Sequence, residues 1–452
     1  MDQTERIEML KTGRIAPTLL KLSLPTVIGM LVMAAYNLAD TFFVALLRDT
    51  ASIAATGIVF PIFQLIGAIG LTFGMGSASV ISRRLGENKH EEADRTASTA
   101  FYTALIIGIL FAIFGATFTE RIMRLFGATD SIIEAATLYG RIILGGSLFQ
   151  VLNMTLNNII RSEGAAGYSS IGMMLGAGLN ILLDPIFIFL LDMGVAGAAT
   201  ATIIAQGIAT VYLLYFFVMK KGVLHLRPSR FTPSVTIYAG IMALGLPTFV
   251  RQILGSISFG LLNNAAGNYG DSAIAAVSIT ARVFMLVMMI MFGLSQGLQP
   301  LAGYNYGARC FDRVRRTLRI SAEWSLTVAG VAVVVFFIFA SPIMRLFAPQ
   351  NQEVIRLGTL AMRMMAAGML PIAFAVVCGG FFQALGKGRA ALLLALGQQG
   401  LFLIPLLIIL PRFWGIIGIF VSQPVAFGVA FVFAVFLLRG VFEDIRRQER
   451  SA

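Results

Sequence analysis

The octapeptide Met33-Ala-Ala-Tyr36-Asn37-Leu-Ala-Asp40 stands past the midpoint of an apolar run, residues 19–47, that is long enough to cross a bilayer. A carboxyl at that depth costs about 2.5 to 3.5 kcal/mol on insertion scales. Asp40 therefore requires a proton, a partner or a water-filled cavity. A second intramembrane acid, Asp184, raises the same question.

The composition fixes the class. The chain has 452 residues, 58% hydrophobic and only 12% charged, with a mean hydropathy of +0.85. Half the usual charged fraction and apolar runs recurring along the whole length read as an all-α polytopic membrane protein. The net charge of +12 does not indicate nucleic acid, because the basic residues sit in alternate loops. His90 and His225 lack ligand-like spacing, and Cys310 and Cys378 fall in a loop and a helix, so neither a metal centre nor a disulfide is expected. The polar first fifteen residues before a full-length span read as the flank of an uncleaved signal-anchor.

Twelve transmembrane helices are expected at 16–47, 52–82, 96–119, 131–160, 168–191, 194–219, 237–267, 272–300, 317–341, 353–382, 389–411 and 414–440. Loops on the amino-terminal side hold Arg83, Arg84, Lys89, Lys220, Lys221, Arg227, Arg230, Arg313, Arg315 and Arg316, whereas the other side carries Arg48, Arg121, Arg124, Arg345 and Arg412. The positive-inside rule then places both termini in the cytoplasm and the protein in the cell (cytoplasmic or inner) membrane.

The halves repeat. Ile122-Met-Arg-Leu-Phe126 recurs as Ile343-Met-Arg-Leu-Phe347, Leu24-Pro25 as Leu246-Pro247, Gly164 as Gly386 and Gly197 as Gly418. Six spans per half give both the same orientation, so two six-helix lobes are expected, related by a pseudo-two-fold axis along the membrane normal, with a cleft suited to alternating access. The expected divisions are an N-lobe at 1–219, a cytoplasmic linker at 220–236 with Pro228 and Pro233, a C-lobe at 237–440 and a cytoplasmic tail at 441–452.

With Leu22-Ser-Leu-Pro-Thr26 opening the first span, Arg161-Ser-Glu-Gly164 after the fourth, Asn180-Ile-Leu-Leu-Asp184-Pro185 in the fifth and Gly245-Leu-Pro-Thr-Phe-Val-Arg-Gln252 in the seventh, the chain resembles the multidrug and toxic compound extrusion (MATE) family over nearly its whole length. Within that family it resembles the branch named for a DNA-damage-inducible protein (DinF), whose acids lie in the amino-terminal lobe. The resemblance implies coupling by H⁺ or Na⁺ through this lobe, with Tyr36 as a hydrogen-bond partner.

Helix rise puts Asp40 roughly 10 Å below the outer end of its span, with Asp184 and Thr202 at similar depth on theirs. Met33, Tyr36 or Asn37, and Asp40 share one helix face, as do Asn180 and Asp184 on another. Asn153 and Asn157 form a further pair, deeper on span four. Pro185 frees the carbonyl of Ile181 beside the acid, and Pro25 is expected to kink span one. Burial and a neighbouring carboxylate favour a bound proton; the oxygens of Asp40, Asn180, Asp184 and Thr202 equally make a set for Na⁺.

The C-lobe carries Arg251, Arg282 and Arg363 in its spans and no deep acid. Its methionine clusters, Met285 to Met291 and Met362 to Met369, read as packing or lipid contact, with flexible apolar binding as the sharper alternative.

The reading is a proton-driven multidrug efflux antiporter, not an enzyme. It has no cofactor beyond its coupling ion, acts as a monomer in the lipid bilayer, and exports amphipathic, often cationic compounds. Asp40 couples; Tyr36, Asn180, Asp184 and Thr202 assist; Met33, Tyr36, Asn37, Asp40, Asn153 and Asn157 face the substrate; Pro25 and Pro185 serve the conformational change. The alternatives are Na⁺ coupling and a flippase for a lipid-linked precursor, which the C-lobe arginines would suit.

Overall fold

The computed structural model describes residues 3–47 and 49–450. Arg48, placed above in an outer loop, lies outside the described residues, as do the first two residues and the last two of the tail.

The chain is helical throughout: α1 Gln3–Lys11, α2 Ile15–Leu46, α3 Thr50–Gly86, α4 His90–Leu125, α5 Ile133–Gly145, α6 Ser147–Ser162, α7 Ala166–Pro185, α8 Gly194–Val218, α9 Val235–Gly267, α10 Asp271–Gly307, α11 Phe311–Ile338, α12 Ala340–Phe347, α13 Gln352–Ala384, α14 Gly388–Ala395 and α15 Ile404–Arg450. Among the described residues, ten helices are long and apolar enough to cross a membrane, or eleven if the bent pair α5 and α6 is one span. The exposed faces of α4 and α15 carry Leu110, Ile113 and Phe114, and Val432 and Phe436, an apolar exterior suited to lipid.

Three elements differ from the sequence expectation. The polar amino-terminal segment contains helix α1, with Glu5 in its first turn, Lys11 in its last, and Leu10 buried. The span expected at 131–160 is bent by 44° at Gly146, where a Cβ would meet the Ile203 side chain of α8 at 2.1 Å. The spans expected at 389–411 and 414–440 form one run of 63 residues, Gly388–Arg450, interrupted by Gly415 at φ 56°.

By packing, the chain divides into two units. The first comprises the chain through Gly13 and Leu24–Gly245; the second comprises Arg14–Ser23 and the chain from Leu246 on. Helices α2 and α9 are thus each shared between units, with the division falling immediately before the leucine that precedes Pro25 in one and Pro247 in the other.

In the first unit, α3 lies so close to α9 that a Cβ on Gly76 would meet the Ile241 carbonyl oxygen at 2.1 Å. The segment after α8 is laced onto α4. Asp94 accepts from His225 N at 2.8 Å, Ser98 from Arg227 N at 3.2 Å and Thr99 from Thr232 N at 3.1 Å, while Arg230 pairs with Glu91 at 2.7 Å.

In the second unit, α10, α11, α13 and α15 enclose a core that includes Met288, Met291, Met362, Met365, Met369, Phe336 and Phe427. Five methionines of the two clusters are therefore packing residues, while Met285 is 50% exposed.

Candidate cation and substrate site

Five helices of the first unit supply the site. Asn180 and Asp184, one turn apart on α7, are 2% and 0% exposed, and Thr202 of α8 is 4% exposed. Buried polar groups need partners. With its amide oriented to satisfy both ends, Asn180 donates to Asp184 Oδ2 at 3.0 Å and accepts from Thr202 N at 3.2 Å and Thr202 Oγ1 at 3.0 Å. Immediately after Asp184, Pro185 ends the α-helical geometry and Ile186–Leu190 continues as a π-helical turn. Proline has no N–H for the preceding turn, and widened turns of this kind absorb the mismatch.

Helix α2 runs unbroken through Pro25 and brings Tyr36, Asn37 and Asp40 to the wall of a cavity of about 260 Å³. The cavity is also lined by Thr202 and, on α3, Thr56, Phe60 and Phe63. Tyr36 and Thr202 line the same cavity, which brings α2 beside the Asn180–Asp184 cluster. Asp40 and Asp184 lie within each other's field. Asn37 turns its amide N–H to its own helix, donating to the Met33 carbonyl at 2.8 Å. Asp40 Oδ1, by contrast, is buried and has no hydrogen-bond partner among the described residues.

The other sequence candidates lie elsewhere. Met33 is half-buried on α2 and is not part of the cavity wall. Asn153 and Asn157 belong to a separate cluster, in which Asn157 Nδ2 donates to Asn153 Oδ1 at 2.8 Å and Asn157 Oδ1 accepts from Ser169 Oγ at 2.8 Å. Arg282 is exposed, and Arg363 donates to the Phe337 carbonyl at 3.2 Å.

Tyr139 and Ile143 on α5 complete the cavity wall. Tyr139 sits in the field of Asp40, Tyr36 and Asp184. The signal for it was an aromatic hydroxyl i,i+4 from Ile143, which spacing alone does not separate from packing.

This arrangement is able to hold a proton or a small cation at Asp40 and an amphipathic molecule against the aromatic wall. No group of three or more His, Cys, Asp or Glu residues able to hold a metal ion occurs among the described residues.

Comparison with known proteins agrees over the full length. The chain is 28% identical over 434 residues to the multidrug export protein MepA of Staphylococcus haemolyticus, covering 96% of this chain and 95% of that one. It is 27% identical over 438 residues to MepA of Staphylococcus aureus, covering 96% of each. Among solved structures it resembles a MATE in complex with MaL6 (TM-score 0.93, 28% identity, covering 98% and 99% of the two chains). It likewise resembles an outward-facing multidrug resistance MATE family transporter of the MOP superfamily (TM-score 0.92, 28% identity, covering 97% and 98%). The MatE family model matches residues 25–186 and again 247–409, so the chain belongs to the MatE family, the transporters of multidrug and toxic compound extrusion.

Proposed function

We propose that this chain is a cation-coupled exporter of amphipathic, often cationic organic compounds, with Asp40 as the coupling carboxylate and H⁺ as its ion. The observation that carries the reading is the unpartnered Oδ1 of Asp40 on a side chain that lines the 260 Å³ cavity. A lone carboxylate oxygen in low dielectric favours a bound proton, and a proton and a cationic drug compete for the same charge. Phe60, Phe63, Val44 and Ile53 offer apolar walls to the rest of such a molecule. Multidrug export is also what the names of the MepA relatives state.

A second reading, Na⁺ coupling, draws on the oxygens gathered by Asn180, Asp184 and Thr202. Drug uptake into inverted vesicles, with a pH or a Na⁺ gradient imposed separately, distinguishes them. An acidic lumen is expected to drive uptake and a Na⁺-loaded lumen to leave it at background. The reverse result would establish Na⁺, and no response to either would refute cation coupling.

The finer architecture belongs to the same proposal. At 1.5 Å per residue the run of 63 residues is roughly 95 Å long, about three times the hydrocarbon core, so it reads as two spans meeting at Gly415. With α5 and α6 as one span the total is twelve, six in each of two pseudo-symmetric lobes, 1–219 and 237–440, joined by the linker at 220–236. Both termini are placed in the cytoplasm, on a monomer of the DinF-like branch in the cell membrane.

A further inference from the structure

At the offset of 222 that pairs Pro25 with Pro247 and Gly164 with Gly386, the two halves of the chain put different residues around one buried position. In the first unit it is filled. Arg161 donates to Asn158 Oδ1 and Ser169 Oγ, both at 3.4 Å, and its guanidinium reaches the Met173 sulfur at 3.9 Å. Gly29 on α2 faces the same cluster, and a Cβ there would lie in ordinary contact with Met173, at 3.6 Å.

In the second unit the same positions are Gly380 for Asn158, Gln383 for Arg161, Ala391 for Ser169, Ala395 for Met173 and Arg251 for Gly29. The guanidinium now comes from α9, and the side chains that would accept from it are replaced by glycine and alanine. A narrow, partly open pocket with room of about 10 Å³ results, lined by Arg251, Gln383, Gln398, Gly379, Ala391 and Ala395. That volume holds roughly one water-sized species. Space extends beside Gly379 as well, where a Cβ would meet only Leu394, at 3.9 Å.

Arg251 is half-buried and stacks over the Phe292 ring at 5.1 Å, but it makes no ion pair among the described residues. Neither α9 nor α14 contains an acidic residue, and the single one on α13 is Glu353, in its first turn at the opposite end from Gln383. The two amides of the wall are 3% and 5% exposed. Gln383 is held in place, donating to Thr248 Oγ1 at 2.8 Å and accepting from Gln299 Nε2 at 3.2 Å. A cation in apolar surroundings without an anion is costly, and amide and guanidinium N–H groups together make a shell for negative charge. Room of about one water suits a monatomic anion better than phosphate, sulfate or an organic carboxylate.

We propose that Arg251, with Gln383 and Gln398, forms a binding site for a chloride-sized monovalent anion within the second unit. It is distinct from the Asp40 cavity and independent of which cation drives transport.

The test is thermal unfolding of the purified full-length protein as sodium chloride replaces sodium gluconate at constant ionic strength. In the wild type the melting temperature is expected to rise saturably, on the order of 2 °C, with bromide acting as chloride does. Arg251→Gln is expected to abolish the rise. Ala395→Met, which restores the residue filling this position in the first unit, is expected to abolish it without removing the charge, and it decides the matter if Arg251→Gln does not fold. A wild type indifferent to chloride, or variants that respond as the wild type does, would overturn the site.

Discussion

Glu163 is fully enclosed in the turn between α6 and α7, where its Oε2 accepts from Val223 N at 2.6 Å and Leu224 N at 3.2 Å. Burial pushes its carboxyl up to about 7, against the opposing pull of Arg6 and the two N–H groups. The sign of the linkage follows from a folded value above the unfolded one. The group's stabilising contribution is complete below the ordinary glutamate range and is lost as pH rises through about 7. Glu163→Gln keeps an oxygen for both N–H groups and removes the charge. The wild-type melting temperature is therefore expected to fall between about pH 4.5 and about 7 more steeply than that of the variant, and parallel profiles would contradict this. At the same scale, Asp40, Asp184, Asn180 and Thr202 were legible in the sequence because polar groups in apolar runs need a reason. Tyr139 was not, because an aromatic residue in an apolar helix has an ordinary reason to be there. For Arg282, position along a helix gives depth but not the face presented, and its face is exposed.

At the scale of elements, close approach decides what the helices tolerate. A Cβ on Gly245 would meet the Thr72 carbonyl oxygen at 2.1 Å, and backbone has no rotamer with which to yield. A pseudo-equivalent contact occurs within the second unit, where a Cβ on Gly297 of α10 would meet Ser23 Oγ at 2.1 Å. Gly245→Ala is expected to cost about 1 to 3 kcal/mol, read as a lowered melting temperature. Gly255→Ala on the same helix, where a Cβ meets nothing within 4 Å, is the control and is expected to leave stability unchanged or slightly raised. Equal effects of the two would refute the packing argument. Hydropathy located nearly every long helix, since twenty apolar residues in succession leave few alternatives. It did not locate the bend at Gly146, which depends on Ile203 of another helix, nor helix α1, whose buried Leu10 packs against Gly164.

At the scale of the molecule, the duplication read from the pentapeptides reappears in the two matches of the MatE family model. Each repeat has kept its helices and changed its buried polar groups. The first half gathers Asp40, Asp184, Asn180 and Thr202, while the second sets the half-buried Arg251 beside neutral amides. That asymmetry is why the cation function is assigned to the first unit. The most direct measurement is pH-driven drug uptake into inverted membrane vesicles carrying the wild type or Asp40→Asn at matched protein levels. Uptake by the variant is expected to collapse to that of vesicles without the protein. Undiminished pH-driven uptake by Asp40→Asn would contradict the assignment of Asp40 as the coupling carboxylate.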